Sequence, residues 1–318
     1  MKEQAGKKYR VLITSTSFGK TDPLPFDKLK EFGCEIIENP YSRPLKEQEL
    51  LTLLENVDGV IAGLDEYTEK VIMHSKRLKV ISRYGVGLDN VDMDAAESRG
   101  IIVTAVPGTN SEAVADLTIG LMISIARKIT KADRSLKEGK WEKIFGNSVY
   151  GKTLGIIGYG RIGKAVRERV SGFRMRVLVY DPDKEAALNG AEDIEYKPLP
   201  ELLKESDFIT LHASLSHDSH LMIGYREFSL MKPTAYFINT ARGGLIDEKD
   251  LYRALDEGVL AGAALDCYLD EPPFESPLLS LPNIITTPHI GSYTYESVLE
   301  MGLRSVENLI KAFEGRAS

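Results

Sequence analysis

Residues 153–173 run from an apolar stretch, TLGII, through Gly158-Tyr159-Gly160-Arg161-Ile162-Gly163 into a helical pattern, GKAVRERVSGF. A G-x-G-x-x-G string alone says little. Placed between a strand and a helix it is the fingerprint of a βαβ unit whose turn cradles a pyrophosphate. In that arrangement Gly158 permits the tight turn, Gly160 admits a close backbone approach, and Gly163 lets the helix pack on the strand. Arg161 and Ile162 then open the helix, whose free N–H groups and partial positive charge face the phosphates. The next apolar run ends in Val179-Tyr180-Asp181, 18 residues past Gly163. A carboxylate at that distance accepts hydrogen bonds from an adenosine ribose and repels a 2′-phosphate. Pro182 and Asp183 offer no arginine to receive one, so the expected cofactor is NAD rather than NADP.

Around this motif, short β-branched runs alternate with helical periodicity, the pattern of parallel α/β sheets. Strands are expected near 11–15, 35–39, 59–63, 79–82 and 101–106, and a second series near 153–160, 176–182, 208–213, 235–240, 262–266 and 283–289. Between the series, SEAVADLTIGLMISIARKI (111–129) is expected to form one long helix, apolar on more than one face and therefore buried on most sides. The charged amphipathic stretch after it, to about Trp141, could reach a partner subunit. A final helix is expected over about Tyr295–Phe313.

The 318 residues suffice for two domains, and 43% apolar with 27% charged residues fits a soluble globular chain. A net charge of −7 argues against a broad nucleic-acid-binding face. The polar start, MKEQAGKKYR, followed by only a short apolar run, points away from a secretory leader, and no window is long and apolar enough to span a bilayer. Cys34 and Cys267 lie in apolar runs far apart, as buried thiols do, and a cytoplasmic setting is expected. His212, His217 and His220 lack the spacing of a zinc site, so no metal is expected.

Four stretches carry a resemblance that spans nearly the whole chain: SRYGVGLDNVD (82–92), GIIGYGRIG (155–163), INTARGGLID (238–247), and the pair LDCYLDEPP (265–273) with TPHIGS (287–292). In these the chain resembles the D-2-hydroxyacid dehydrogenase family. The resemblance implies two Rossmann-like α/β domains with parallel sheets flanked by helices and a cleft between them. It further implies a discontinuous substrate domain, 1–106 plus 293–318, an NAD-binding domain, 107–292, and a homodimer built around the helix from Ser111. The implied chemistry interconverts a small 2-hydroxy acid and its 2-keto acid by hydride transfer; 3-phosphoglycerate and glycerate or hydroxypyruvate are among the candidates. Arg242 would grip the substrate carboxylate and polarise the ketone. His289 would be the general acid and base, and Glu271 would orient it and favour its protonated form. Thr240 would lie at the nicotinamide and Asp266 at its carboxamide. Val86 and Gly87 would bring backbone amides to the substrate carboxylate, with Arg83 serving an anion nearby, and His212 is placed either near the adenosine or in a structural role.

Two departures qualify the picture. Ser292 replaces the family's usual small residue after TPHIG, a mild change. Gly63 stands where phosphoglycerate enzymes of the family tend to carry an arginine, which weighs against a phosphorylated substrate. A non-catalytic NAD-sensing protein of the corepressor type shares the fold and the Arg–Glu–His trio and is the alternative.

Overall fold

The computed structural model describes residues 9–185 and 193–316. The chain forms two compact units, Met1–Asn110 with Ser292–Ser318, and Ser111–Gly291.

In the first unit, β1 (Tyr9–Ile13), β2 (Cys34–Glu38), β3 (Gly59–Ala62), β4 (Val80–Arg83) and β5 (Ile102–Thr104) form one sheet in the order β2-β1-β3-β4-β5. Every pairing is parallel. Parallel strands are covered on both faces, which is why β3 and β4 read as unbroken buried runs. Leu12, Val60 and Ile81 pack into one face and Val11, Ile61 and Val80 into the other. The C-terminal helix, Tyr295–Phe313, lies on the second face against β3, β4, β5 and helix Leu24–Glu31. A Cβ on Gly59 would meet Phe313 Cζ at 2.6 Å, so glycine is what lets the helix approach β3 so closely. Ser82 Oγ donates to Ser305 O at 2.8 Å and Tyr84 Oη to Val298 O at 2.9 Å, fixing the helix's register.

The second unit holds β6 (Thr153–Ile157), β7 (Arg176–Tyr180), β8 (Glu195–Tyr196), β9 (Phe208–Leu211), β10 (Tyr236–Asn239), β11 (Gly262–Leu265) and β12 (Ile284–Thr286). They pair in parallel in the order β12-β11-β10-β9-β6-β7-β8. Strand order reverses between β6 and β9, the place where doubly wound sheets open a crevice beyond the strands' carboxyl ends. All eleven expected strands are present with ends shifted by a few residues; only the two-residue β8, too short to show a period, was not anticipated.

The helix expected over 111–129 is present as Ser111–Arg127, and a second helix, Ile129–Lys137, forms in the charged stretch that follows it. Lys128 adopts a left-handed φ of 55° and ends the first. The first helix is buried against helix Arg161–Val170 and strands β10, β11 and β12, so its apolar excess is absorbed inside its own unit. The exposed apolar surface lies instead on the following segment: Ile129, Leu136, Trp141, Phe145 and Tyr150, with Trp141 at 83% and Phe145 at 91% exposure.

Candidate active site

The glycine turn sits at the reversal of strand order. Gly158 has φ of 87°, and a Cβ there would meet Ala213 N at 2.5 Å and the His212 carbonyl carbon at 2.6 Å, both backbone from the end of β9. A Cβ on Gly163 would stand 2.3 Å from Gly158 O, which explains helix packing directly on the turn. Among the described residues nothing lies within 4 Å of where a Cβ on Gly160 would stand, so its backbone borders open space at the N-terminus of helix Arg161–Val170. The cradle thus fits a pyrophosphate. Asp181 Oδ2 accepts the Tyr159 N–H at 2.8 Å and Oδ1 accepts the Asp183 N–H at 2.9 Å. The carboxylate is thereby held against the turn, with oxygen lone pairs to spare for ribose hydroxyls.

His212 follows β9 beside Gly158. Both its ring nitrogens are sealed from solvent with no hydrogen-bond partner among the described residues, although the residue as a whole is only half-buried. Burial pushes its pKa down to about 3. Below pH 6.5 the unfolded chain binds a proton that the folded chain refuses, so stability falls as pH drops from 6.5 toward 3. The loss at pH 4.5 should be on the order of 2–3 kcal/mol. His212→Leu should be less acid-sensitive than the parent in thermal melts at pH 7 and 4.5; equal acid sensitivity would show that His212 is not the cause.

At the carboxyl ends of β10, β11 and β12, three loops converge. Asn239, fully buried, accepts the Ala241 N–H at 2.9 Å and donates to Arg242 O at 2.9 Å, so it shapes the turn that presents Arg242. Arg242 Nη1 donates to Ala241 O at 2.8 Å. Gly243 lies so near the next loop that a Cβ would overlap the Tyr268 carbonyl carbon at 1.9 Å. Tyr268 in turn donates its N–H to Glu271 Oε1 at 3.1 Å and its hydroxyl to Thr287 O at 2.9 Å. Glu271 then faces His289: Nδ1 lies 2.9 Å from Oε1 and 2.8 Å from Oε2, the two side chains about a quarter exposed. With Nδ1 donating to the carboxylate, Nε2 is the nitrogen Glu271 does not engage.

His289 itself has φ of 52°, an uncommon conformation for a residue with a side chain. Asp266 holds it there. Its carboxylate accepts from Thr287 Oγ1 at 2.6 Å, Ile290 N at 2.8 Å and Gly291 N at 2.7 Å, clasping the loop on both sides of His289. Burial pushes the Asp266 carboxyl up, and the Thr287, Ile290 and Gly291 donors and the charge of His289 pull against that rise. Thr240 Oγ1 hydrogen-bonds Thr118 Oγ1 at 2.9 Å, linking the loop after β10 to the long helix. Glu248 accepts the Leu269 N–H at 2.7 Å; its carboxyl is pushed up, chiefly by burial and also by Asp270 and Glu271.

In the other unit, Val86 is 40% exposed and Gly87 half-buried, whereas Arg83 is 3% exposed with Nε and Nη1 on backbone carbonyls. Sequence reasoning did not single out Asn239, Gly243, Asp266's grip on the loop, or Tyr268. The run N-T-A-R-G-G was a signal for the first two, since a buried Asn and paired glycines at a strand end mark a constrained turn. Cys34 and Cys267 are buried free thiols, with burial pushing Cys34 up to about 11. Among the described residues no group of three or more His, Cys, Asp or Glu could hold a metal ion, and no helix is long and apolar enough to cross a membrane.

Residues 119–291 match the family model described as D-isomer specific 2-hydroxyacid dehydrogenase, NAD binding domain. The chain is similar to a D-3-phosphoglycerate dehydrogenase of Methanocaldococcus jannaschii, 44% identical over 301 residues, covering 93% of this chain and 57% of the relative's length. It is similar over more of its relative to a glyoxylate reductase of Pyrococcus furiosus: 38% identity over 291 residues, 88% of this chain and 86% of that one. Among solved structures, D-lactate dehydrogenase from Aquifex aeolicus, complexed with NAD and lactic acid, superposes with a TM-score of 0.84 at 28% identity, covering 96% of each chain. The extent of these matches and the paired parallel sheets lead to one conclusion: the chain belongs to the D-isomer specific 2-hydroxyacid dehydrogenase family.

Proposed function

We propose that the protein reduces a small 2-keto acid to its D-2-hydroxy acid with NADH, and catalyses the reverse oxidation. The observation that carries this reading is the His289 Nδ1 contact with both Glu271 oxygens, on loops directly beside the Arg242 turn. The nicotinamide, when bound, supplies or accepts the hydride. His289 then donates a proton from Nε2 to the ketone oxygen, and Glu271 balances the imidazolium's charge. Arg242 holds the substrate carboxylate and polarises the neighbouring carbonyl. Thr240 and Asp266 border the nicotinamide, while Val86 and Gly87 offer backbone amides to the substrate. In this reading the unit from Ser111 is the NAD-binding domain and the other the substrate domain. NADH oxidation followed against glyoxylate, hydroxypyruvate, pyruvate and 3-phosphohydroxypyruvate tests the proposal; no turnover with any of them would overturn it.

Among these acids, the unphosphorylated ones are favoured by the loop after β3. A Cβ on Gly63 would press on Ser15 Cα at 3.0 Å and Asp65 Oδ2 at 3.2 Å, so an arginine could not be accommodated there without moving backbone. Cofactor choice rests on Asp181. NADH should bind at least tenfold more tightly than NADPH, and Asp181→Ser with Pro182→Arg should narrow or invert that ratio. Equal affinity of the parent for both would sink the assignment.

A homodimer is part of the same reading, with the exposed segment from Ile129 to Tyr150 as its contact. A cluster of exposed aromatic and aliphatic side chains is uncommon on a monomer's surface. Sedimentation at micromolar concentration should give a dimer, and Trp141→Ser with Phe145→Ser should shift it toward monomer; a monomeric parent refutes this.

A further inference from the structure

The reading above gives the loop 84–87 the task of meeting the substrate, and the following inference rests on that reading. Arg83, the last residue of β4, precedes this loop. Its Nε donates to Gly87 O at 3.0 Å, and its Nη1 donates to Ala62 O at 2.9 Å and to Gly63 O. One guanidinium therefore ties the end of β3 to the far side of the 84–87 loop. Gly85 lies over it, since a Cβ there would stand 3.6 Å from both Nη atoms. Asn90 repeats the tie, its Nδ2 donating to Gly63 O at 3.3 Å and to Asp65 O at 2.6 Å, while its backbone carbonyl accepts the Tyr67 N–H at 2.8 Å. Asp65, 1% exposed, supplies a nearby buried negative charge and accepts the Leu45 N–H at 2.5 Å.

We infer that Arg83 is a positioning residue: its guanidinium, spread over the carbonyls of Ala62, Gly63 and Gly87, locks the substrate loop from beneath. With the Gly87 carbonyl drawn onto Arg83, the Leu88 N–H across the same planar trans peptide is turned the opposite way. Lysine cannot reproduce the tie, because an ammonium is a point donor and lacks the planar fork that reaches several carbonyls at once.

Arg83→Lys is compared with the parent by steady-state kinetics and by hydrogen exchange of the peptide covering residues 84–90. The expected result is a KM for keto acid raised about tenfold or more, with kcat and NADH affinity little changed, because the lost order is in substrate binding. The factor should be the same for hydroxypyruvate and for its 3-phosphorylated form, and amide exchange in 84–90 should quicken. Asn90→Ala, which removes the second tie to Gly63 O, should give the same signature, and it serves if Arg83→Lys does not fold. A KM penalty confined to the phosphorylated acid would show direct contact with an anion and overturn the inference. So would unchanged exchange in 84–90 in both variants. Should the parent turn over no keto acid, the proposed activity fails, and the exchange comparison still decides whether Arg83 holds the loop.

Discussion

His289→Ala should lower kcat for reduction of the best keto acid by about 10²–10⁴, the usual worth of a positioned acid or base, with NADH affinity nearly unchanged. The imidazole is carried on a loop clasped by Asp266 and is engaged at Nδ1 by Glu271, so removing the ring deletes the proposed proton donor without disturbing the glycine turn, which follows β6 four strands away in the sheet. Glu271→Gln separates the two contributions of the pair. The amide keeps the shape of the contact and removes the negative charge that faces the ring. Reduction by Glu271→Gln should therefore be slower than the parent's but faster than that of His289→Ala, because the ring stays aimed while the balancing charge is lost. Single-turnover and steady-state rates of the three proteins would measure both contributions. A His289→Ala protein within a few-fold of the parent rate would show that the proton comes from elsewhere; a parent-like rate in Glu271→Gln would remove the charge of Glu271 from that role.

Gly243→Ala should be nearly as damaging although it adds one methyl group. That carbon would stand 1.9 Å from the Tyr268 carbonyl carbon and 2.3 Å from Leu269 N, and neither is a flexible side-chain end that can swing aside. The two loops must separate. The Arg242 turn would part from the Tyr268 loop, whose N–H holds Glu271. The overlap should destabilise the fold by on the order of 3 kcal/mol, at the upper end of ordinary overpacking. Activity should drop by about 10² or more, since misplacing a catalytic group by 1 Å is enough to cost that much. Gly258→Ala, where an added Cβ meets no described residue within 4 Å but φ is 69°, is the control: its cost is backbone strain alone and activity should survive. Melting curves and kinetics of the two variants measure the contrast. A fully active, parent-like Gly243→Ala would show that the loops can separate without consequence.

The elements of this fold were legible because each is dictated locally. Parallel strands covered on both faces read as short β-branched runs, as β3, β4 and β9 do, and the C-terminal helix announces itself by its amphipathic period over Tyr295–Phe313. The glycine turn was legible for the same reason, since a left-handed turn and a close helix approach admit only glycine at Gly158 and Gly163. The residues named for the chemistry came from motif resemblance, and the geometry between them was not written in any one motif. The break at Lys128 was hidden, because nothing in the run Ala126-Arg127-Lys128-Ile129 forbids a helix, yet Lys128 takes a left-handed φ of 55°. Sequence singled out Arg83 for its charge, and only the fold directed that charge onto three backbone carbonyls. Likewise Asp266 clasps the His289 loop because β11 and β12 are neighbours in the sheet, bringing residues more than twenty apart within hydrogen-bonding distance. A sequence specifies such a contact through the pairing of whole strands, and the partner of a buried carboxylate is settled when the sheet assembles.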